Sequence, residues 1–191
     1  VGTGALNQTL SDVGETNMAY TLLLQREDPS WLYSVDQGAT TIWERWNSYT
    51  KENGFGDVSM NSFNHYSYGA VLEWMYSDML GIEADIDDPG FKHITLQPQP
   101  DTREDSEIPA NEQRITSVKG SYDSTYGTIS AEWNWSEDEF NYTATVPANT
   151  TATVYLPTTE GQTVTVNGKD VADLDEATDG IKYIETTDGK A

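Results

Sequence analysis

The sequence has 191 residues, a formal net charge of −22, 36% apolar residues, no cysteine and two histidines. This negative charge would repel a phosphate backbone and an anionic lipid surface, so we expect neither nucleic acid nor a membrane as a partner. The sequence contains no run of eighteen apolar residues, which argues against a membrane-spanning helix. Without cysteine, and with two histidines that lack a zinc-binding spacing, the chain is expected to hold no disulfide and no metal.

Composition changes near residue 90. All four methionines and four of the six tryptophans precede this point, and threonine and valine in alternating runs follow it. We therefore predict an α+β chain, with a helical part over 1–90 and a β part over 91–191. Both ends of the sequence are abrupt, so we expect a piece of a longer protein with a truncated β part. Composition leaves the compartment open between cytoplasmic and secreted.

Helical spacing and capping residues predict four helices in the first part. A short helix over 4–13 ends at Gly14, and an apolar stripe predicts a second helix over 16–26. Asp28-Pro29 is expected to open a third helix, which Gly38 closes. Residues 39–60 are predicted to be irregular. Asn61 or Ser62 is then expected to cap a long helix that ends at Leu80, with His65 in its first turn at the positive end of the helix dipole.

The β part is predicted to form an antiparallel sandwich. The segment 82–100 is expected to cross between the two parts, and Asp85, Asp87 and Asp88 are expected to lie in a solvated loop because they lack the ligand spacing of a Ca²⁺ loop. His93 is expected on the surface of a strand, and Trp133 and Trp135 are expected to pack on one face. Two-residue alternation between turn residues predicts strands over 91–97, 114–122, 127–135, 139–147, 151–156, 163–166 and 181–185.

Two dense blocks, 38–47 and 60–69, carry the residues suited to chemistry. In the first, Glu44 lies between Trp43 and Trp46, and in the second His65 lies among asparagines and tyrosines. Indole faces stack on sugar rings, and amides and imidazole bind hydroxyl groups, so these residue types suit a polyhydroxylated neutral ligand. Other roles are open from the residues alone. Glu44 would otherwise form an ion pair with Arg45, and packing or helix capping would occupy the other candidates, which are His65, Trp43, Asn61 and Asn64.

The same blocks resemble the bacterial α-L-rhamnosidases, which are inverting enzymes of glycoside hydrolase family 78. The similarity rests on Gln37-Gly-Ala-Thr-Thr-Ile-Trp-Glu-Arg-Trp, on Met60-Asn-Ser-Phe-Asn-His-Tyr and on the Glu73-Trp74 pair that follows. An earlier Leu22-Leu-Leu-Gln run and a later Ile94-Thr-Leu-Gln-Pro run also match. The resemblance covers about residues 1–100 through motifs, and the β part only through its pattern.

The resemblance implies that the first part supplies the last helices of an (α/α)₆ toroid and that a C-terminal β-sandwich follows. Glu44 matches the general base of the family, and His65 matches a histidine that contacts the sugar. Trp43, Asn61 and Asn64 are weaker candidates for substrate contacts. The family usually has Asp where this chain has Asn47, which leaves the role of that position open. The general acid and most of the sugar pocket are expected upstream of the toroid segment present here.

The function implied is cleavage of terminal α-L-rhamnosyl residues from a glycoside or oligosaccharide, with water and without a cofactor. The alternatives are another toroidal glycosidase, a non-catalytic carbohydrate-binding protein, or a purely structural module. The isolated chain is expected to be inactive because it lacks the general acid. It is also expected to self-associate through aromatic helix faces that have lost their neighbours.

Overall fold

A computed structural model describes residues 2–59, 61–136, 139–158 and 162–181 of the chain. Helices dominate before residue 80 and strands after it, which confirms the α+β prediction. The first three helices are α1 (Thr3–Asp12), α2 (Thr16–Leu24) and α3 (Trp31–Asp36). Gly14 follows α1 with a φ of +86°, and Gly38 follows α3 with a φ of +104°. Both glycines therefore end a helix in the left-handed conformation, at the positions predicted.

Helix α3 begins later than Asp28-Pro29 predicts. Ser30 is its N-cap residue, and the Ser30 hydroxyl accepts a hydrogen bond from the backbone N–H of Tyr33 at 3.0 Å. Serine caps a helix as well as aspartate does, so the hydroxyl that meets the third N–H of the helix sets the start.

The long helix predicted from Asn61 or Ser62 also begins later, and it has three forms of winding. A 3₁₀ segment covers Tyr66–Ala70, α4 covers Val71–Trp74, and a π-helical turn covers Met75–Met79. His65 lies before the first turn in an extended conformation, so its predicted place inside the helix was wrong. The N–H of Ser62 donates to the Glu44 carboxylate and the N–H of His65 donates to the Ile42 carbonyl, and these contacts hold the chain outside the helix up to His65.

Within the described ranges, ten strands form four sheets. Two are hairpins, one of β1 (Tyr49–Thr50) with β2 (Gly54–Phe55) and one of β9 (Thr165–Val166) with β10 (Lys169–Asp170). The other two sheets have three strands each. They comprise β3 (Ile82–Ala84), β4 (His93–Leu96) and β8 (Thr151–Val154) in the order β3-β4-β8, and β5 (Ser117–Ser124), β6 (Gly127–Ser136) and β7 (Glu139–Thr145) in the order β5-β6-β7.

The pairing differs from the prediction in two places. Strand β3 lies in the segment predicted to cross between the two parts, where it pairs antiparallel with β4. Strands β4 and β8 are parallel, and the His93 ring joins them through the hydroxyls of Thr151 and Thr153 at 2.7 and 2.8 Å. All but the first residue of the predicted strand 181–185 lie outside the described residues. Short helical turns cover Asp105–Glu107, Val171–Asp173 and Glu176–Asp179 (α5).

Two buried clusters hold the sandwich together and join it to the helices. In the first, residues of α2 and of the 71–79 helix surround Trp133 of β6, whose indole N–H donates to the carbonyl of Met79 at 2.7 Å. In the second, the inner faces of the two three-stranded sheets meet through apolar side chains, which are Leu80, Ile82, Ile94, Leu96, Ile129 and Ala131. The helical part and the sandwich therefore share one continuous core.

The segment after β4 ties the two parts together through polar contacts. Gln99 accepts a hydrogen bond from the Thr16 hydroxyl at 2.5 Å, donates to Asp78 at 3.0 Å, and accepts the Tyr20 hydroxyl on its carbonyl at 2.7 Å. Farther along, Arg103 forms a two-pronged ion pair with Asp101. These contacts fix the segment after β4, and with it the sandwich, against α2 and the 71–79 helix.

Candidate active site

Residues 41–44 and 62–65 run side by side and form a strap around Glu44. The hydroxyl of Thr41 donates to the carbonyl of Phe63 at 2.5 Å, and the N–H of His65 donates to the carbonyl of Ile42 at 2.9 Å. The N–H of Glu44 donates to the carbonyl of Ser62 at 2.8 Å. The two blocks that the sequence singled out are therefore adjacent in the fold, and their backbones hold each other.

The carboxylate of Glu44 is held by the other block. Its Oε2 accepts the backbone N–H of Ser62 at 2.7 Å, so Ser62 contacts Glu44 through both its N–H and its carbonyl. Within the described part of the chain no ion pair joins Glu44 to Arg45, which removes the structural alternative named from the sequence. Glu44 is half-buried, and a half-buried carboxylate that keeps one oxygen free can take a proton from water.

Trp43 lies inside an aromatic cluster rather than on an open face. Its side chain is 7% exposed and makes edge contacts with Tyr49 at 6.4 Å and Phe63 at 5.4 Å between ring centroids. Phe55, on the hairpin, completes the cluster through Tyr49 and Phe63. Trp43 thus fixes the backbone next to Glu44 and presents little surface to a ligand.

A second aromatic group supports the other side of Glu44. Trp46 stacks on Tyr68 with ring centroids 3.7 Å apart and planes within 4°, and Trp31 meets Trp46 edge-on at 5.3 Å. The Trp31 indole donates to the carbonyl of Tyr68 at 2.8 Å, and the Ser34 hydroxyl donates to the carbonyl of Trp46 at 2.7 Å. Helix α3 is therefore the element that fixes this half of the first block.

The remaining sequence candidates have different surroundings. His65 is half-buried, and its ring lies parallel to that of Tyr66 at 5.9 Å, beside a tyrosine that is 87% exposed. Asn64 is exposed, with its N–H donating to the Ser62 hydroxyl at 3.2 Å. The side chain of Asn61 instead donates inward, to the carbonyl of Ser48 at 2.9 Å. His65 and Asn64 are therefore open to a ligand, and Asn61 faces the protein.

Sequence reasoning missed two residues of this arrangement, Ser62 and Ser48. Ser62 was considered only as a helix cap, and it holds the Glu44 carboxylate through its backbone N–H, which no side-chain pattern reveals. Ser48 is 1% exposed, and its hydroxyl accepts the N–H of Arg45 at 3.2 Å. The sequence sign of a tight turn there was a small polar residue five positions before the Gly-rich stretch Asn53-Gly-Phe-Gly-Asp57.

A groove lies elsewhere on the described part of the chain. It has a volume of about 830 Å³ and is bounded by α1, the 71–79 helix and β3, with Leu72, Tyr76, Glu83 and Phe91 among its walls. None of its lining residues belongs to the strap. Within the described residues no group of three or more histidines and carboxylates is arranged to hold a metal ion, and no helix is both long and apolar enough to cross a membrane.

Comparison with known proteins identifies both parts of the chain. Residues 1–79 match the family model of the bacterial alpha-L-rhamnosidase 6 hairpin glycosidase domain, and residues 81–170 match that of the bacterial alpha-L-rhamnosidase C-terminal domain. Helices that flank a segment with a half-buried glutamate, followed by a sandwich, fit part of a six-hairpin glycosidase. The chain belongs to the bacterial α-L-rhamnosidase family.

Individual relatives agree with this assignment. An alpha-L-rhamnosidase of Formosa agariphila is 38% identical over 88% of the chain, and one of Streptomyces avermitilis is 40% identical over 82%. The chain spans 17% and 14% of the length of these two proteins. The crystal structure of the Streptomyces avermitilis alpha-L-rhamnosidase complexed with L-rhamnose superposes with a TM-score of 0.71 at 37% identity, covering 88% of this chain and 16% of that one. The crystal structure of the native alpha-L-rhamnosidase from Aspergillus terreus superposes with a TM-score of 0.73 at 34% identity, and the match covers 85% of this chain and 18% of that one.

Proposed function

We propose that the protein carrying this chain hydrolyses terminal α-L-rhamnosyl residues of glycosides or oligosaccharides with inversion at the anomeric carbon, and that Glu44 is the general base. The observation that carries the proposal is the Glu44 carboxylate, half-buried and held by the Ser62 N–H within the part of the chain that matches the glycosidase domain. The proposal needs water and no cofactor.

The chemistry asks for one further carboxyl group. An inverting hydrolase uses an acid that protonates the leaving oxygen and a base that activates water on the other face, with the two carboxyls about 6.5–9.5 Å apart. Glu44 removes a proton from water while the water oxygen bonds to the anomeric carbon and the glycosidic bond breaks. The acid that protonates the leaving oxygen belongs to the rest of the protein, because the family resemblance puts it upstream of this segment.

Substrate binding is assigned to the accessible polar side chains near Glu44. We propose that His65 and Asn64 bind sugar hydroxyls, since both are accessible and neither side chain is committed to a hydrogen bond within the described residues. Trp43 and Asn61 then support the site without touching the sugar. Trp43 is buried, and the Asn61 amide donates to a backbone carbonyl of the protein. The related Streptomyces avermitilis enzyme forms a complex with L-rhamnose, which supports this substrate class.

The division of the chain is part of the same proposal. We assign residues 1–90 to the end of the toroid and residues 91–191 to the C-terminal sandwich. The two family models meet between residues 79 and 81, and β3 already pairs with β4 of the sandwich. Both observations support an exchange between the two parts close to Gly81.

The test uses the full-length protein with an aryl α-L-rhamnoside and, in parallel, other aryl glycosides. Glu44→Gln should lower kcat by roughly 10² or more, because a positioned base contributes that much, while KM changes far less. Glu52→Gln is the matched control, since Glu52 is exposed in the hairpin turn. His65→Ala should raise KM at least as much as it lowers kcat.

The outcomes separate the alternatives. NMR in the first minutes of the reaction should show a product of inverted anomeric configuration, and a retained configuration would make the second carboxyl a nucleophile instead. A preference for another aryl glycoside would indicate another toroidal glycosidase. Sugar binding without turnover would indicate a carbohydrate-binding protein.

A further inference from the structure

The Glu44 carboxylate has two unequal oxygens. Oε2 accepts the N–H of Ser62 at 2.7 Å, whereas Oε1 has no hydrogen bond to any described residue. A carboxylate oxygen that already accepts a backbone N–H is a poorer proton acceptor than its free partner. The Ser62 N–H therefore decides which oxygen of Glu44 meets water and where that oxygen lies.

Two side chains hold Ser62 in place, one on either side of it. Before it, the Asn61 amide donates to the carbonyl of Ser48 at 2.9 Å. After it, the carbonyl of Phe63 accepts the Thr41 hydroxyl at 2.5 Å. Ser62 cannot move away from Glu44 without breaking one of these two contacts.

The Asn61 anchor lies on a rigid part of the protein. The Ser48 carbonyl that receives it also accepts the N–H of Gly56 at 2.8 Å, and Ser48 itself is 1% exposed. A Cβ at Gly56 would lie 3.3 Å from that carbonyl oxygen and 3.4 Å from the Asn61 amide nitrogen, so a side chain there would push these groups by a few tenths of an ångström. The other end of the Asn61 amide, Oδ1, is buried and has no hydrogen-bond partner among the described residues. The contact that orients the amide is therefore the one that its nitrogen donates to the Ser48 carbonyl.

From these contacts we infer that Thr41 and Asn61 are positioning residues that keep the Ser62 N–H on Glu44 Oε2 and so aim Oε1 at the attacking water. The inference rests on the proposed role of Glu44 as the base. It changes the function assigned to Asn61, which acts on the carboxylate through Ser62 and does not touch the sugar. Neither residue takes part in proton transfer.

The experiment uses the full-length protein and isosteric substitutions. Thr41→Val and Asn61→Asp each remove one donor and keep the shape of the side chain. Each should lower kcat about tenfold while KM changes little, because small displacements of a reacting group cost up to about 10² in rate. Tm should change little in Thr41→Val and should fall in Asn61→Asp, which sets a carboxylate oxygen against the Ser48 carbonyl. Thr41→Ser keeps the hydroxyl and should restore kcat to within about twofold of the wild type. Thr40→Val and Asn53→Asp are the matched controls, since both residues are exposed and their side chains bond to no described residue.

A double-mutant cycle tests the positioning role of Thr41 separately from the proposed role of Glu44 as the base. If Thr41 acts through the Glu44 carboxylate, Thr41→Val should cause no further loss of kcat in a Glu44→Gln background. Losses that multiply, or a Thr41→Val protein with wild-type kcat, would overturn the positioning role while leaving Glu44 as the base. A Glu44→Gln protein with near-normal kcat would instead overturn the proposed function. Thr41 is exposed, so its variants should fold even if Asn61→Asp does not.

Discussion

At the scale of single residues, Arg103 fixes the segment after β4 against helix α2. Its guanidinium is 2% exposed, pairs with Asp101 at 2.9 and 2.8 Å, and also reaches Glu112 at 3.4 Å and the Thr21 hydroxyl at 3.3 Å. The hydrogen bonds to Asp101 raise the pKa of Arg103, so the buried guanidinium stays charged. Removing one partner of such a pair leaves the other charge buried and uncompensated.

Arg103→Met should therefore destabilise the fold by about 3–5 kcal/mol. Arg26→Met is the matched control, because its ion pair with Asp36 is 38% and 44% exposed and such surface pairs contribute about 1 kcal/mol or less. Urea unfolding monitored by tryptophan fluorescence measures both. Equal midpoints for the two variants would contradict the assigned role of the buried pair.

Asp78 is a second buried ionisable residue. Unlike the Arg103 guanidinium, its carboxyl is shifted toward the neutral form by the fold. Burial raises the pKa of Asp78 above its usual range, against the lowering effect of the Ser77 hydrogen bond. The folded state thus favours the protonated form. The stabilisation from this proton is complete below the pKa of the unfolded chain and is lost as pH rises through the raised pKa of the folded state. Glu83 is shifted in the same direction, by burial first and by Asp78 and Asp12 next.

Asp78→Asn should consequently lose less stability than the wild type as pH rises from about 4 to 7. The substitution keeps an oxygen for the Gln99 amide, which donates to Asp78 Oδ1 at 3.0 Å, and it removes the buried charge. Thermal unfolding at several pH values measures the difference, and Glu52→Gln in the exposed hairpin is the control. Parallel Tm curves for wild type and Asp78→Asn would show that the raised pKa does not contribute to stability.

At the scale of elements, Gly81 connects the last helix to the first strand of the sandwich. Its φ is +82°, and a Cβ there would overlap the backbone nitrogen of Pro98 and lie 2.7 Å from the Pro98 Cα. Gly14 ends α1 with a similar φ of +86°, but a Cβ at Gly14 would meet nothing within 4 Å. Both glycines have a positive φ, but only Gly81 lies so close to another segment that a Cβ would overlap it.

Gly81→Ala should destabilise by about 2–5 kcal/mol, through backbone strain and steric overlap together. Gly14→Ala should cost only the strain, about 1–2 kcal/mol. Chemical denaturation of both variants isolates the contribution of the Pro98 contact by difference. Similar losses at the two positions would mean that the segment after β4 yields easily and that the junction at Gly81 is loosely packed.

Elements governed by local patterns could be predicted from the sequence, and elements governed by distant partners could not. Alternation and turn residues predicted β5, β6 and β7 within a few residues, and the glycines that follow α1 and α3 were identified correctly. Strand β3 was missed because three residues carry too little alternation, and the parallel β4–β8 pair joins segments more than fifty residues apart. The π-helical turn at 75–79 depends on Trp133 and Gln99, which bond to the carbonyls of Met79 and Asp78.

The candidate site shows the same limit. The residue types of the two blocks identified Glu44 and His65 as candidates, and a family resemblance gave them roles that the proposed experiments test. Pattern alone could not reveal that Ser62 holds Glu44 or that Asn61 faces Ser48, because both contacts involve backbone groups. A side-chain pattern carries no information on which N–H a carboxylate accepts.

At the scale of the whole molecule, the 191 residues present apolar side chains that a longer protein would cover. Leu6, Val13, Met18 and Leu72 on the helices are each about half exposed or more. We expect the isolated chain to self-associate through these helix faces. The net charge of −22 opposes such contacts, so the association should strengthen as added salt screens the charge. Light scattering that finds a monomer at both low and high salt would contradict this prediction.

The chain alone should also fail to hydrolyse rhamnosides. It carries the proposed base and the residues that aim it, but it spans only 14–17% of the length of its relatives, and the family resemblance puts the acid and most of the sugar pocket outside it. General acid assistance alone is worth about 10²–10⁴ in rate. Purified 1–191 should therefore turn over an aryl α-L-rhamnoside at least about 10²-fold more slowly than the full-length protein at equal molar concentration. A rate close to that of the full-length protein would mean that a carboxyl within these residues serves as the acid.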